Sequence, residues 1–223
     1  MKHMKKQIFI DFAVILAVTV LFSILVCFVD VAAIGPAGTK VGFSHINGFF
    51  RDMIPLNMVL YRVTNLLGYL ALLVCCGFAF MGGMQLLQGK SLKKVDRNII
   101  AVGVLYVIVI ALYLLFEKVA INYRPVIMPN ETAPEASFPS THAMLATTVF
   151  GSAPWVMNRY LKDARIRKIF TAVCWVLGLA TVVLRFFSGV HWFTDIVAGF
   201  LISVTLLSGF KIVLGMIRPK KKA

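Results

Sequence analysis

Apolar residues run along this chain in long, nearly unbroken stretches separated by short charged clusters. Crossing a bilayer takes roughly 20 such residues as helix, and three stretches plainly suffice, at about 8–29, 57–87 and 98–117. The second is long enough to tilt or to run into the interface. Three more follow at about 140–158, 168–187 and 193–214, each with a shorter uncharged core and a polar group at one end. The pattern predicts an all-α, polytopic membrane protein: a six-helix transmembrane bundle forming one domain over residues 1–223, without a soluble domain or a repeat of fixed period. The opening MKHMKK and the apolar run after it look like a secretory leader. That run, Phe12 to Val29, is longer than a usual leader core, and Val31-Ala32-Ala33 is a weak cleavage pattern, so a retained span is expected.

Composition agrees. The 223 residues are 60% hydrophobic and 14% charged, against about 25% charged in a soluble domain. The net charge of +14 would suggest nucleic acid in a soluble protein, but its placement argues otherwise. Lys2, Lys5 and Lys6 precede the first span; Lys90, Lys93, Lys94 and Arg97 separate the second from the third. Arg159, Lys162, Arg165, Arg167 and Lys168 separate the fourth from the fifth, and Arg218 with Lys220 to Lys222 closes the chain. Six spans put all four clusters on one side, which the positive-inside rule makes cytoplasmic, with both termini. The bilayer and its anionic headgroups, not nucleic acid, are the expected partners. Cys27, Cys75, Cys76 and Cys174 lie in apolar runs without a CxxC pair, as buried inert thiols do. On the opposite side fall residues 30–56, 118–139 and 188–192, the first containing INGFFRDMI, which reads either as an interfacial amphipathic helix or as a packed loop.

Ionisable and hydrogen-bonding groups at membrane depth are costly and mark function. Here they gather in EKVAINYRP (117–125), SFPSTH (137–142) and RFFSGVHWFTD (185–195), all at the extracytoplasmic edge of the expected topology. Lys118, Arg124 and Arg185 supply positive charge suited to a dianion, and the arginine fork matches phosphate. Pro139-Ser140-Thr141-His142 opens a helix; Ser140 is a good N-cap, and free backbone N–H groups there face an anion. His191 and Asp195, four residues apart, share a helix face. The carboxylate is therefore placed to hold the Nδ1 proton, leaving Nε2 to attack phosphorus. His142 then serves as the second imidazole, donating a proton to the departing alkoxide. The chemistry expected is phosphoryl transfer through a phosphohistidine, with arginines instead of a metal neutralising charge and no cofactor.

These residues resemble the three motifs of the type 2 phosphatidic acid phosphatases, or lipid phosphate phosphatases. Arg124-Pro125 matches the end of the first motif; Pro139-Ser140-Thr141-His142 matches the second, with Thr141 for the usual glycine. Arg185, His191 and Asp195 match the third at its spacing, with Leu184 for the usual serine. The resemblance implies His191 as nucleophile, Asp195 as its orienting partner and His142 as general acid. It implies phosphate binding by Arg124, Arg185, Ser140 and Lys118, with Thr141 adding a hydroxyl near the phosphate. It also implies metal-independent action on phosphatidic acid, phosphatidylglycerol phosphate, undecaprenyl diphosphate or phosphorylated lipid A. One departure stands out: five residues, not six, separate Lys118 from Arg124, and Glu117 occupies the customary lysine position. On a continuous helix that leaves the two side chains roughly 120° apart.

Each residue has a plainer reading. The histidines would be satisfied core side chains, the arginines would snorkel, and Asp195 would cap the last helix. Phe116, Tyr123, Phe138, Trp192 and Phe193 read as an aromatic belt; Met81, Gly82, Gly83 and Met84 read as helix packing. Asn122 and Glu135 match no role, and the loop 125–139 is long enough for a lid. Three motifs in order at one membrane edge outweigh these readings. A lipid phosphate phosphatase of the bacterial cytoplasmic membrane, its site facing outward, is the expected function. The alternatives are a phosphotransferase with an alcohol acceptor, and a non-catalytic lipid transporter, which would need polar residues spread through the bundle.

Overall fold

The computed structural model describes residues 2–129 and 131–217. Seven α-helices follow one another among them: α1 (Lys2–Phe28), α2 (Ser44–Met53), α3 (Met58–Gly89), α4 (Arg97–Lys118), α5 (Thr141–Met157), α6 (Ala164–Phe187) and α7 (Phe193–Met216). The apolar runs thus become helices within a few residues of the expected limits. The closing basic cluster, Arg218 and Lys220 to Lys222, lies outside the described residues.

Side chains cap three of the helix starts. Asn57 accepts hydrogen bonds from the N–H groups of Val59 and Leu60 at 3.0 and 3.1 Å. Asp96 accepts from Asn98 N at 2.9 Å, and Asp163 from Arg165 N and Ile166 N at 2.6 and 3.0 Å. Each satisfies donors that a helix start leaves orphaned. Lys90 ends α3 in the left-handed region at φ 52°.

Helix α5 is the centre, packed against α3, α4, α6 and α7, and it is buried almost continuously from Ala143 to Ala153. Small residues allow this approach. A Cβ on Gly151 would meet Leu207 Cδ1 at 2.7 Å, and one on Gly199 would meet the Ser140 carbonyl oxygen at 2.6 Å. Such close contact is how helices associate where lipid removes the hydrophobic drive between them. Helix α1 lies on α7, where the Thr19 and Thr205 hydroxyls are 2.8 Å apart.

The outer surface is apolar, with Leu73, Phe80, Val107, Trp175 and Leu179 all exposed. Five helices are long and apolar enough to cross a membrane: α3, α4, α6, α7 and, from Lys6 on, α1. Helix α5 has 17 residues, 13 of them buried, and so owes its place to its neighbours more than to lipid. The segment INGFFRDMI is helical through Met53, within α2, and leaves the helix at Ile54. Phe50 stacks on Phe193 at 4.7 Å, and Asn47 Nδ2 donates to Gly42 O at 2.7 Å and Thr194 Oγ1 at 2.9 Å, while Phe49 and Met53 stay exposed.

Candidate active site

The candidate residues come from four parts of the chain and meet at one end of the bundle. Ser140 and His142 stand at the start of α5, Arg185 in the last turn of α6, and His191 and Asp195 around the start of α7. Arg124 comes from the connection after α4. Backbone bonds lock the segments together: Ser140 N donates to Asp195 O at 2.9 Å, Arg124 N to Glu135 O at 2.9 Å, and Asn57 N to Ser188 O at 2.9 Å.

His191 is buried, and its Nδ1 lies 3.1 Å from the carbonyl oxygen of Ser137. A carbonyl only accepts, so the proton is on Nδ1 and Nε2 keeps a lone pair. Nε2 is buried without a hydrogen-bond partner. Burial, and then the Arg185 and Arg124 guanidiniums, hold this imidazole well below the ordinary histidine range, so it is neutral at pH 7. Asp195 Oδ2 stands 3.7 Å from Nδ1, beyond hydrogen-bond reach, and accepts instead from Trp192 N at 3.0 Å. Its Oδ1 accepts from Asn122 Nδ2 at 3.2 Å. The carboxylate thus caps α7 and lies beside the imidazole, while the Ser137 carbonyl sets the tautomer that the spacing assigned to Asp195.

Arg185 is 1% exposed. Its Nη1 donates to Thr64 Oγ1 at 3.1 Å and Asn65 Oδ1 at 3.0 Å, and its guanidinium carbon lies 4.9 Å from the centre of the Tyr61 ring. These contacts from α3 hold the fork rigid. Nη2 lies 3.4 Å from His142 Nδ1, and since arginine only donates, His142 accepts there and carries its proton on Nε2. Gly68 makes room, because a Cβ there would come within 2.9 Å of the His142 ring.

Ser140 occupies the N-cap position of α5 as expected, but its side chain makes no capping bond and its Oγ is buried without a partner. The first-turn N–H groups of α5 therefore lack the side-chain acceptor that α3, α4 and α6 each have. Thr141, the first residue of α5, is half-buried. Arg124 Nε lies 2.9 Å from Glu135 Oε2, an ion pair without hydrogen-bond geometry, and its Nη1 is buried without a partner. Lys118 is exposed in the last turn of α4 and forms no hydrogen bond or ion pair among the described residues. Because α4 ends at Lys118, the helical register weighed from sequence does not extend to Arg124. Among the described residues, no group of three or more His, Cys, Asp or Glu is arranged to hold a metal.

The contacts of Asn122, Glu135, Ser137, Thr64 and Asn65 have no motif behind them. For Thr64 and Asn65 a signal existed: two polar residues inside an apolar run are expensive at membrane depth.

The site lies within the reach of known relatives. The model of the family described as the PAP2 superfamily matches residues 99–219. No curated protein matches the sequence. Among solved structures, a transmembrane PAP2-type phosphatidylglycerolphosphate phosphatase from Bacillus subtilis superposes with a TM-score of 0.57 at 20% identity, over 92% of this chain and 94% of that one. That likeness is one of fold.

Proposed function

The chain belongs to the PAP2 superfamily, and from that premise we propose that it is a membrane lipid phosphatase acting through a phosphohistidine on His191. The observation that carries this reading is the convergence of buried, unpartnered groups: His191 Nε2, Arg185 Nε, Arg124 Nη1 and Ser140 Oγ. One nucleophilic nitrogen among donors at a helix start is what transfer of a phosphoryl group requires.

The His191 Nε2 lone pair attacks phosphorus while the bond to the lipid oxygen breaks. Arg124, Arg185, the Ser140 hydroxyl and the first N–H groups of α5 hold the equatorial oxygens. The bound dianion offsets the two guanidiniums, so His142 carries a proton and delivers it to the leaving oxygen. Water then attacks phosphorus and the phosphorus–nitrogen bond breaks, its electron pair returning to His191 Nε2, while His142 takes a proton from the attacking water. Asp195 steadies the imidazolium-like charge that His191 acquires. No step calls for a metal.

In this reading α5 is the sixth span, and alternation puts the basic segments on the cytoplasmic side and the site on the other. A headgroup reaches the site from the bilayer edge without its chains leaving lipid. Phosphatidylglycerol phosphate, the substrate named for the Bacillus subtilis relative, and undecaprenyl diphosphate are the leading substrates. Transfer to an alcohol uses the same residues and differs only in the acceptor. Purified protein in detergent with EDTA, given diacyl and polyprenyl phosphates, is expected to release inorganic phosphate. It is also expected to trap protein-bound phosphate that is lost in acid and stable in alkali. Release that needs an added divalent ion, or no acid-labile phosphoprotein in a rapid quench, would refute the mechanism.

A further inference from the structure

Between α3 and α4, on the half of the bundle away from His191, a groove of about 490 Å³ opens on the apolar outer surface. Cys76, Phe78, Gly83, Leu86, Ile99 and Gly103 contribute to its walls, and no charged side chain does. Its volume falls within the roughly 300–1,000 Å³ of small-ligand sites. Glycine hollows it: a Cβ on Gly83 or Gly103 would meet nothing within 4 Å, whereas one on Gly82 would meet Ile99 Cγ2 at 3.1 Å. Gly82 thus serves helix packing, as the sequence suggests, and Gly83 does not. From Cys75 to Leu86 the wall follows α3 for about 16 Å at 1.5 Å per residue, close to one leaflet's half of the ~30 Å hydrocarbon core.

The groove ends at the α3–α4 connection, where Leu92 and Val95 line it and Lys90, Lys93, Lys94 and Arg97 are exposed. The nearby Asp96 is already engaged by Asn98 and Tyr160. We propose that the groove holds one acyl chain of an anionic phospholipid from the leaflet on the basic side, with its headgroup on Lys93 and Lys94. A slot one leaflet deep with a cationic mouth fits that amphiphile. A second copy docked symmetrically on this face would bring two lysine clusters together. The proposal does not depend on the catalytic reading.

Native mass spectrometry after detergent exchange tests it, with phosphatidylserine and phosphatidylcholine as probes, since neither is a phosphate monoester that competes for His191. The wild type is expected to retain one phosphatidylserine in roughly tenfold preference to phosphatidylcholine. Gly83→Leu with Gly103→Leu should cut retention at least about fivefold, and Lys93→Gln with Lys94→Gln should erase the preference. A second readout needs no variant: phosphatidylserine should slow maleimide labelling of Cys76 and leave that of exposed Cys27 unchanged. Unchanged retention in the filled groove, no headgroup preference, no protection of Cys76, or a lipid-free dimer that shields Cys76 would each overturn the proposal.

Discussion

At the basic end of the bundle, Asp96 accepts from Asn98 Nδ2 and Tyr160 Oη, both at 2.7 Å, and its own N–H donates to Gln85 Oε1 at 2.8 Å. The buried atoms left without a partner there are two amide oxygens, Asn98 Oδ1 and Asn158 Oδ1. At the opposite end the unpartnered buried atoms include Arg124 Nη1, Arg185 Nε and the Ser140 hydroxyl, all able to donate, together with His191 Nε2 and its lone pair. A buried donor without an acceptor costs about 1–3 kcal/mol. One end spends its polar residues on closing helix starts; the other keeps several donors uncommitted in one place, against stability. Among the helix starts, Asp96 and Asp163 close α4 and α6 and, at the site end, Asn57 closes α3, so the start of α5 that the Ser140 side chain leaves open stands out against its neighbours. That difference locates chemistry more firmly than any single residue does.

The largest test removes the imidazole proposed as nucleophile. His191→Ala is expected to lower kcat/KM for a lipid phosphate by at least about a thousandfold. His142→Ala should cost roughly 10²–10⁴ with an alkyl leaving group and far less with a nitrophenyl one, which needs no proton. Equal losses for both leaving groups would remove His142 from the proton-transfer role. Next comes Arg185→Lys, which keeps the charge and loses the fork that Thr64 and Asn65 hold; a fall of about 10²–10³ in kcat is expected. Activity within a few fold of wild type would mean that Arg185 serves α3 packing and not phosphate.

Smaller effects probe positioning. Asn122→Ala frees Asp195 Oδ1, and roughly a tenfold loss in kcat with KM unchanged is expected. At the other end, Tyr160→Phe should leave kcat/KM within about twofold and cost about 1 kcal/mol of stability, read as a shift in thermal unfolding. Burial alone would raise Asp96, but hydrogen bonds from Asn98 and Tyr160 outweigh it and hold the carboxyl below the usual carboxylate range. A depressed group stabilises above its unfolded value of about 3.9 and loses that contribution as pH falls through its folded value. Asp96→Asn should therefore flatten the fall in thermal stability between about pH 5 and 3. An activity loss in either variant would break the division between a structural end and a chemical end.

Much of this was legible beforehand because lipid leaves few solutions. Every long apolar run had to become a helix, and α3, α4, α6 and α7 begin and end close to where charge or capping chemistry said, whereas the pattern around INGFFRDMI left helix and loop equally open. Reading α5 was harder: it has 17 residues, short for a span, and 13 of them are buried against other parts of the protein. His142, Arg185, His191, Asp195, Ser140 and Arg124 do gather at one end. What remained hidden acts across long separations or through the backbone. Thr64 and Asn65 hold Arg185 from 121 and 120 residues away, and Ser137 steers His191 by its carbonyl, which carries no side-chain signature. The left-open cap at Ser140 is a matter of rotamer, and no spacing announces it.

The smallest expected effect concerns the residue with the weakest place in the motif. Lys118 is exposed at the end of α4, with the non-helical segment 119–123 between it and Arg124. An exposed ammonium acts on the site only at a distance, and at 0.15 M salt such effects fade beyond about 8 Å. Lys118→Ala is therefore expected to change kcat/KM by less than about threefold, an effect that shrinks further as salt is raised. Arg124→Ala should cost far more, because its Nη1 is already buried among the site's other donors. A loss at Lys118 of tenfold or more, insensitive to salt, would mean that the segment after α4 folds inward over bound phosphate. The boundary between the committed and uncommitted donors would then have to be redrawn to include it.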